Sequence, residues 1–282
     1  MTLDLSTVGS QTKTHHASYD WKTLATYHLG IGAKKDELAY LYEGFKGGMK
    51  VVPTFAVVPA FAAVVDLLGK TGGNMAMVVH GGQSVRAHRP IPASGTIATV
   101  GTLKAIYDLK KFGQVIVETT STLDGEPLFD TTWSIIYRGE GGFGGPRPAE
   151  APPEPTIEKS RTPDWTHSEK TSPEQALLYR IAGDVNPLHA DPEFAKVAGF
   201  PQGPILHGLC TYGFAARAIV LHSAGGDAAK LRSFSAQFRK PVWPGDTIIT
   251  QGHELGDGKV VIVTTVEGRP EAVLGSAWAE LG

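Results

Sequence analysis

Two stretches of this chain are apolar over the length of a helix and nearly all the way round it. GPILHGLCTYGFAARAIVL, which contains Ile205–Val220, has almost no polar face, so it reads as a helix buried on most sides. Upstream, Phe55–Leu68 has the same character, broken only by Pro59 and Asp66. Downstream of each, the pattern changes to runs rich in Val, Ile and Thr, Val115–Thr122 and Val260–Val266. Such runs predict strands of an antiparallel sheet. Each is followed by a last strand, marked by Trp133 in the first half and Trp278 in the second.

The order of these segments repeats. His88-Arg89-Pro90-Ile91-Pro92 leads to Gly95-Thr96-Ile97, and Phe238-Arg239-Lys240-Pro241-Val242 leads to Gly245-Asp246-Thr247-Ile248. One buried helix wrapped by a long antiparallel sheet, twice over, is an α+β arrangement. Between the copies runs GEGGFGGPRPAEAPPEP, whose Gly and Pro density sustains neither a helix nor a central strand. The expected organisation is residues 1–138, a linker over 139–163, and residues 164–282.

Composition narrows the class of partner. The 282 residues carry a formal net charge of -2, which gives no global attraction to nucleic acid or an anionic membrane. An anionic ligand must therefore meet a local basic cluster, and Arg239 and Lys240 are the candidates for phosphate contacts. With Cys210 as the one cysteine, no disulfide forms within the chain, which fits a reducing compartment. The start, MTLDLSTVGSQTKTHH, lacks the apolar run of a secretory signal, and the end, AELG, is not a peroxisomal tripeptide. Phe55–Leu68 is too short to span a bilayer. A cytoplasmic protein is expected.

The chemistry concentrates between Tyr179 and Gly213. In Gly183-Asp184-Val185-Asn186-Pro187-Leu188-His189, the glycine and the Asn-Pro pair predict a turn, because the residue before proline is driven out of the α region. Asp184 and His189 leave that turn and can converge on one water, one group taking a proton as the water attacks and the other delivering one to the neighbouring carbon. His207-Gly208 opens the buried helix. Gly208 lets a ligand approach a free N–H at the positive end of the helix dipole, where a carbonyl is polarised and a developing enolate is stabilised. Taken alone, Asp-x-Asn-Pro-x-His is also what a turn satisfying its own backbone looks like. Asp184, His189, Asp191 and His207 match no metal-ligand spacing, and no metal is expected. His207 reads as a supporting or core histidine, and Cys210 as inert packing.

YRIAGDVNPLHA (Tyr179–Ala190) and PILHGLCTYGFAARA together resemble the (R)-specific 2-enoyl-CoA hydratases, also called hydratase 2 or MaoC-like hydratases. YHLGIGA, VVPTFAVVP, HGGQ, GGFGG and FRKPVWPG resemble segments of the two-domain, eukaryotic-type members, in the same order. The resemblance implies a double hotdog fold with the catalytic site in the second half and an acyl-chain chamber in a degenerate first half. It implies reversible hydration of trans-2-enoyl-CoA in fatty-acyl β-oxidation or steroid side-chain metabolism, with no cofactor beyond the CoA of the substrate, and a homodimer. Asp184 and His189 match the catalytic pair, Asn186 a positioning residue and Gly208 the carbonyl donor. His80, Gly81, Phe238 and a lysine of the pair Lys110-Lys111, taken as Lys110, match positions lining the ligand.

HGGQ carries Gly82 where a glutamate is expected, and YHLGIGA carries His28 where a small residue is usual. Both lie in the acyl-binding half, so a bulky or steroid acyl group is as admissible as a medium-length chain. The competing readings are an acyl-CoA thioesterase on the same fold, a dehydratase of acyl-carrier-protein thioesters, and a non-catalytic thioester-binding module. The Asp184/His189 pair speaks against the last.

Overall fold

Ten strands form one antiparallel sheet in this computed structural model, which describes residues 3–150, 153–158 and 160–282. In the first half lie β1 (His15–Tyr19), α1 (Trp21–Gly30), α2 (Leu38–Leu41), α3 (Val57–Leu68), β2 (Val78–Ala87), β3 (Gly95–Asp108), β4 (Phe112–Leu123) and β5 (Glu126–Arg138). The second holds β6 (Trp165–Lys170), α4 (Gln175–Tyr179), α5 (Pro192–Val197), α6 (Gly208–His222), β7 (Leu231–Phe238), β8 (Thr247–Gly256), β9 (Lys259–Val266) and β10 (Arg269–Leu281). Part of the Gly/Pro-rich connection (residues 151, 152 and 159) lies outside the described residues. Its opening is docked: the Asp108 carboxylate accepts the N–H groups of Gly142 and Gly144, each at 2.8 Å.

The strand order is β1-β3-β4-β5-β2-β7-β10-β9-β8-β6. Read outward from the β2–β7 seam, both directions give the same succession, so the sheet is two copies of one five-stranded unit. Each copy wraps a helix, α3 or α6, which is the double hotdog arrangement. Ser84 pairs with Ser235 across the seam, and their separation of 151 positions carries one half onto the other. The same shift takes Val57 to Gly208, the first residues of α3 and α6. It also takes Gly32 to Gly183, which both have positive φ.

The two helices bury themselves for the reason their sequences predict. From Leu209 to Val220 every residue of α6 is buried, and a large apolar side chain so placed contributes about 1.5–3 kcal/mol. Pro59 falls in the first turn of α3, where its missing N–H costs no helical bond. Gly213 admits the first half: a Cβ there would lie 2.3 Å from Cγ2 of Ile31. Among the described residues no helix is long and apolar enough to cross a membrane.

The two unusual positions of the first half act on packing. His28 is fully buried, donates from Nδ1 to the Tyr40 carbonyl at 2.8 Å and accepts the Val52 N–H at Nε2 at 3.2 Å. One neutral tautomer does both, and burial holds its pKa down to about 4. Gly82 faces Gln237 across the seam, and a Cβ on it would lie 3.3 Å from the Ala236 carbonyl oxygen. Neither lines the large cavity described below.

The core holds a buried arginine. Arg217 of α6 donates from Nε to both oxygens of Glu37, at 2.9 and 3.0 Å, and from Nη1 to Glu169 of β6. His167 Nε2 lies 3.1 Å from Glu169, and Lys34 Nζ forms an ion pair with it at 2.9 Å. Burial alone would raise the Glu169 carboxyl, but the His167 hydrogen bond and the Arg217 and Lys34 cations outweigh it and bring the pKa down to about 2. A depressed carboxyl stabilises the fold fully above its unfolded value of 4.5 and loses that contribution as pH falls toward 2. Glu169→Gln is expected to cost on the order of 3 kcal/mol at neutral pH. Thermal unfolding of both proteins across the acid range checks it: the gap between their melting temperatures should close below pH 4.5.

Candidate active site

The turn that carries Asp184 and His189 is held by its own polar groups. Gly183 takes φ +154°, a conformation L side chains rarely adopt. The Asp184 Oδ1 accepts the Asn186 N–H at 3.1 Å, and the Asn186 Oδ1 accepts the Leu188 N–H at 3.0 Å, capping the 3-10 turn Pro187–His189. The other Asp184 oxygen makes no hydrogen bond among the described residues and stays available. Asn186 therefore holds the turn through its side-chain oxygen.

His189 is 8 % exposed, and its Nδ1 lies 2.8 Å from the Ile205 carbonyl. A carbonyl only accepts, so Nδ1–H donates and the neutral ring keeps its lone pair on Nε2. Burial lowers its pKa below 6.5, opposed by the Ile205 hydrogen bond and the Asp184 charge. The ring of His207 stacks on it, centroids 3.7 Å apart and planes at 28°. His207 donates from Nε2 to the Asp184 carbonyl at 3.0 Å, while its buried Nδ1 has no partner. Burial first, then the neighbouring His189, brings its pKa down to about 2. Two neutral imidazoles and a carboxylate thus share one small volume.

Gly208 opens α6 just beyond His207, and its N–H makes no hydrogen bond among the described residues. A Cβ on Gly208 would lie 3.1 Å from the Phe238 ring. Both residues line a cavity of about 560 Å³ together with His80, Asp184, Asn186 and His189, a size typical of small-molecule sites. The opposite wall comes from the first half: Phe61, Val64 and Leu68 of α3, Val78 of β2, and Trp133 and Ile135 of β5. His80 stacks on Trp133 at 5.1 Å and meets the Phe238 ring edge-on at 4.8 Å. Burial lowers its pKa to about 4, so it is a neutral part of that wall. Arg239 and Lys240 line the same cavity, Lys240 with Nζ 3.0 Å from an oxygen of Glu271.

Two expected ligand contacts are not made by this cavity. Gly81 is the extra residue of a bulge, since His80 pairs with Ile135 and Gly82 with Ser134. Its missing Cβ faces the Ile136 side chain at 2.7 Å, so it aims His80 inward and does not itself line the space. Lys110 sits exposed at the β3–β4 hairpin tip, with φ +69° and its N–H on the Asp108 carboxylate at 2.8 Å. That carboxylate also holds Gly142 and Gly144, which ties the hairpin to the connecting segment and away from the cavity.

Asp184, His189 and His207 each bring a possible metal donor within 4.8 Å of the others. Asp191 stands apart and caps α5 through Glu193 and Phe194. Stacked rings hold their in-plane lone pairs side by side, whereas a metal needs them to converge at ~2.0–2.1 Å, so the set suits proton transfer better. Cys210 donates to the Gly30 carbonyl at 3.2 Å, and burial pushes its thiol up, the opposite of a nucleophile. Sequence reasoning missed the Ile205 carbonyl, which no side-chain pattern signals, the wall residue Phe61, and Arg180, which donates from Nη2 to the Val185 carbonyl at 3.2 Å. Trp133 was visible only as the mark of a last strand.

Shifting by 151 positions shows what the first half lacks. Ala33 stands for Asp184, Leu38 for His189, Ala56 for His207, Val57 for Gly208 and Ala87 for Phe238. The equivalent space there is a cavity of about 190 Å³ lined by Met49, Arg89, Pro90 and Ile91 among others.

Residues 155–272 match the family described as MaoC like domain, and residues 17–139 match the MFE-2 hydratase 2 N-terminal domain. The chain is 39% identical to 3-hydroxyacyl-thioester dehydratase Y of Mycobacterium tuberculosis over 95% of its length and 93% of that protein's. It is 36% identical to the peroxisomal enoyl-CoA hydratase 2 of Arabidopsis thaliana, covering 91% of this chain and 88% of that one. Among solved structures, a MaoC-like dehydratase from Phytophthora capsici superposes with a TM-score of 0.89 at 31% identity, over 99% of this chain and 98% of that one.

The hydrogen bonds assign opposite tautomers to the two stacked rings. Imidazole nitrogen NMR at neutral pH is expected to find the proton on Nδ1 of His189 and on Nε2 of His207. On acidification His189 should protonate below pH 6.5 and before His207. His189 carrying its proton on Nε2 at neutral pH would contradict the geometry.

Proposed function

The chain belongs to the MaoC-like hydratase family in its two-domain, hydratase 2 form, and from that premise we propose how it hydrates enoyl-CoA to 3-hydroxyacyl-CoA. The observation that carries the reading is the free Gly208 N–H beside the unprotonated Nε2 of His189 and the open Asp184 oxygen, on one cavity. A thioester carbonyl at Gly208 meets the positive end of α6, where negative charge developing on its oxygen is stabilised. Water held by Asp184 and His189 attacks C3 of the enoyl group and gives a proton to His189 Nε2. The imidazolium so formed faces the Asp184 carboxylate, which stabilises it, and returns the proton to C2 of the enolate. One water is consumed, one C–O and one C–H bond form, and the alkene is lost.

Both new bonds form on the face that meets the pair, so addition is syn, with the (R)-3-hydroxy product that the family's hydratase 2 character favours. Nothing is oxidised or reduced in the enzyme, so the reaction requires no redox cofactor, and we assign no metal a part in it. Arg239 and Lys240 are the proposed contacts for CoA phosphates, which favours CoA over acyl-carrier protein as the thiol. The apolar wall from α3, β2 and β5 takes the acyl group, fatty or steroid. We further propose a cytoplasmic homodimer.

Purified protein given crotonyl-CoA is expected to remove the absorbance of the conjugated thioester without releasing free thiol. Thiol release with the alkene intact would instead make it a thioesterase. Asp184→Asn and His189→Gln should each lower kcat by on the order of 10²–10⁴-fold with little change in ligand binding. Unchanged turnover in both would mean the site lies elsewhere. Loss of activity toward acid should follow His189, with a midpoint below pH 6.5, because protonation removes the base. Gly208→Ala is expected to fold with stability within about 1 kcal/mol of the parent, yet to lose on the order of 10² in kcat/KM, since a Cβ displaces the carbonyl from its donor. Calorimetry and steady-state kinetics check the two halves of that statement.

A further inference from the structure

We propose that His207 is a positioning residue of the reaction, holding the Asp184 carboxylate and the His189 ring in register for proton transfer. The inference rests on the hydratase reading above and concerns a residue that touches neither water nor thioester in that scheme.

Three contacts carry it. His207 Nε2–H donates to the backbone carbonyl of Asp184 at 3.0 Å, so the ring grips the main chain of the residue whose side chain must stay fixed. Its face lies 3.7 Å from the His189 ring and prevents that imidazole from rotating about its Ile205 hydrogen bond. On its other side Tyr179 packs at 4.9 Å. Arg180 supports the same turn by donating from Nη2 to the next carbonyl, Val185, at 3.2 Å. The carbonyls of Asp184 and of the residue after it are thus held by side chains from outside the turn.

A residue kept only to fill space would not need this chemistry. His207 is the N-cap of α6 yet makes no capping hydrogen bond, although Ser, Thr, Asp or Asn there would satisfy an orphan N–H. Its buried Nδ1 goes unpaired, a desolvation cost that a carbon ring would avoid. The first half shows what happens without the constraint: where Asp184 and His189 are replaced by Ala33 and Leu38, the His207 position holds Ala56. The charged and titratable groups facing His189 are Asp184 on its own turn and His207 at the start of α6, with Arg180 behind. His207 stays neutral, so the imidazolium that forms on His189 meets the Asp184 charge and no second cation.

Two substitutions separate donor from ring. His207→Phe keeps a flat face against His189 but cannot hold the Asp184 carbonyl; His207→Gln keeps a donor of similar reach and loses the stack. With crotonyl-CoA, His207→Phe is expected to lower kcat on the order of 100-fold with KM unchanged. Its acid limb should move to lower pH, because a released Asp184 no longer raises the His189 pKa. His207→Gln should restore most of kcat and return the limb. Should His207→Phe fail to fold, His207→Asn replaces it, since Asn caps a helix well while its amide stops short of the carbonyl. Wild-type kcat in His207→Phe would overturn the proposal, as would a loss with the acid limb unmoved and no recovery in His207→Gln. If wild-type enzyme does not hydrate crotonyl-CoA, the functional reading fails by itself; nitrogen NMR of His189 in His207→Phe still tests positioning through the same downward shift.

Discussion

Five residue pairs between β2 and β7, centred on Ser84 and Ser235, make one sheet out of two. Without that seam each half would expose a strand edge ready to pair with another chain, and neither half encloses the large cavity alone. The pairing sets where the halves meet. It lays α3 and the end of β5 opposite the start of α6, so the apolar wall comes from one copy and Asp184, His189 and Gly208 from the other. Gly213 completes the contact by letting Ile31 press against α6.

Within that frame the second half solves two electrostatic problems in different ways. Arg217 is buried with its full charge and is surrounded by carboxylates, so the network is polar, paired and remote from the chemistry. At the turn from Asp184 to His189 the histidines are instead kept neutral by burial, with protons placed by backbone carbonyls. A carbonyl accepts and cannot donate, which makes it a reliable way to choose a tautomer. His189 keeps Nε2 unprotonated because the Ile205 carbonyl holds the proton on the other nitrogen.

The two copies share one framework but differ in the side chains they carry at equivalent positions. Helix, sheet and the positive-φ glycine before the turn persist in the first half, because they hold the fold. Asp184, His189, His207 and Gly208 have Ala33, Leu38, Ala56 and Val57 as their counterparts. The space equivalent to the large cavity measures about 190 Å³, while Phe61, Val64 and Leu68 of α3 line the large one.

Much of this was legible in the chain itself. Apolar runs at helical length mark α3 and α6, and β-branched runs mark β4 and β9, because burial and backbone sterics act locally. Gly183, Asn186 and Pro187 announce the turn, since their dihedral preferences need no tertiary partner. Asp184, His189 and Gly208 stand out for the same reason: residue type and position at a turn or helix start define their chemistry. Tertiary structure alone decided the rest. That Ile205 orients His189, that His207 grips Asp184, that the Gly81 bulge turns His80 inward, and that Lys110 stays outside are consequences of distances between segments far apart in sequence. A hydrogen bond to a backbone carbonyl leaves no trace in residue identity, and the cavity exists only where two halves touch.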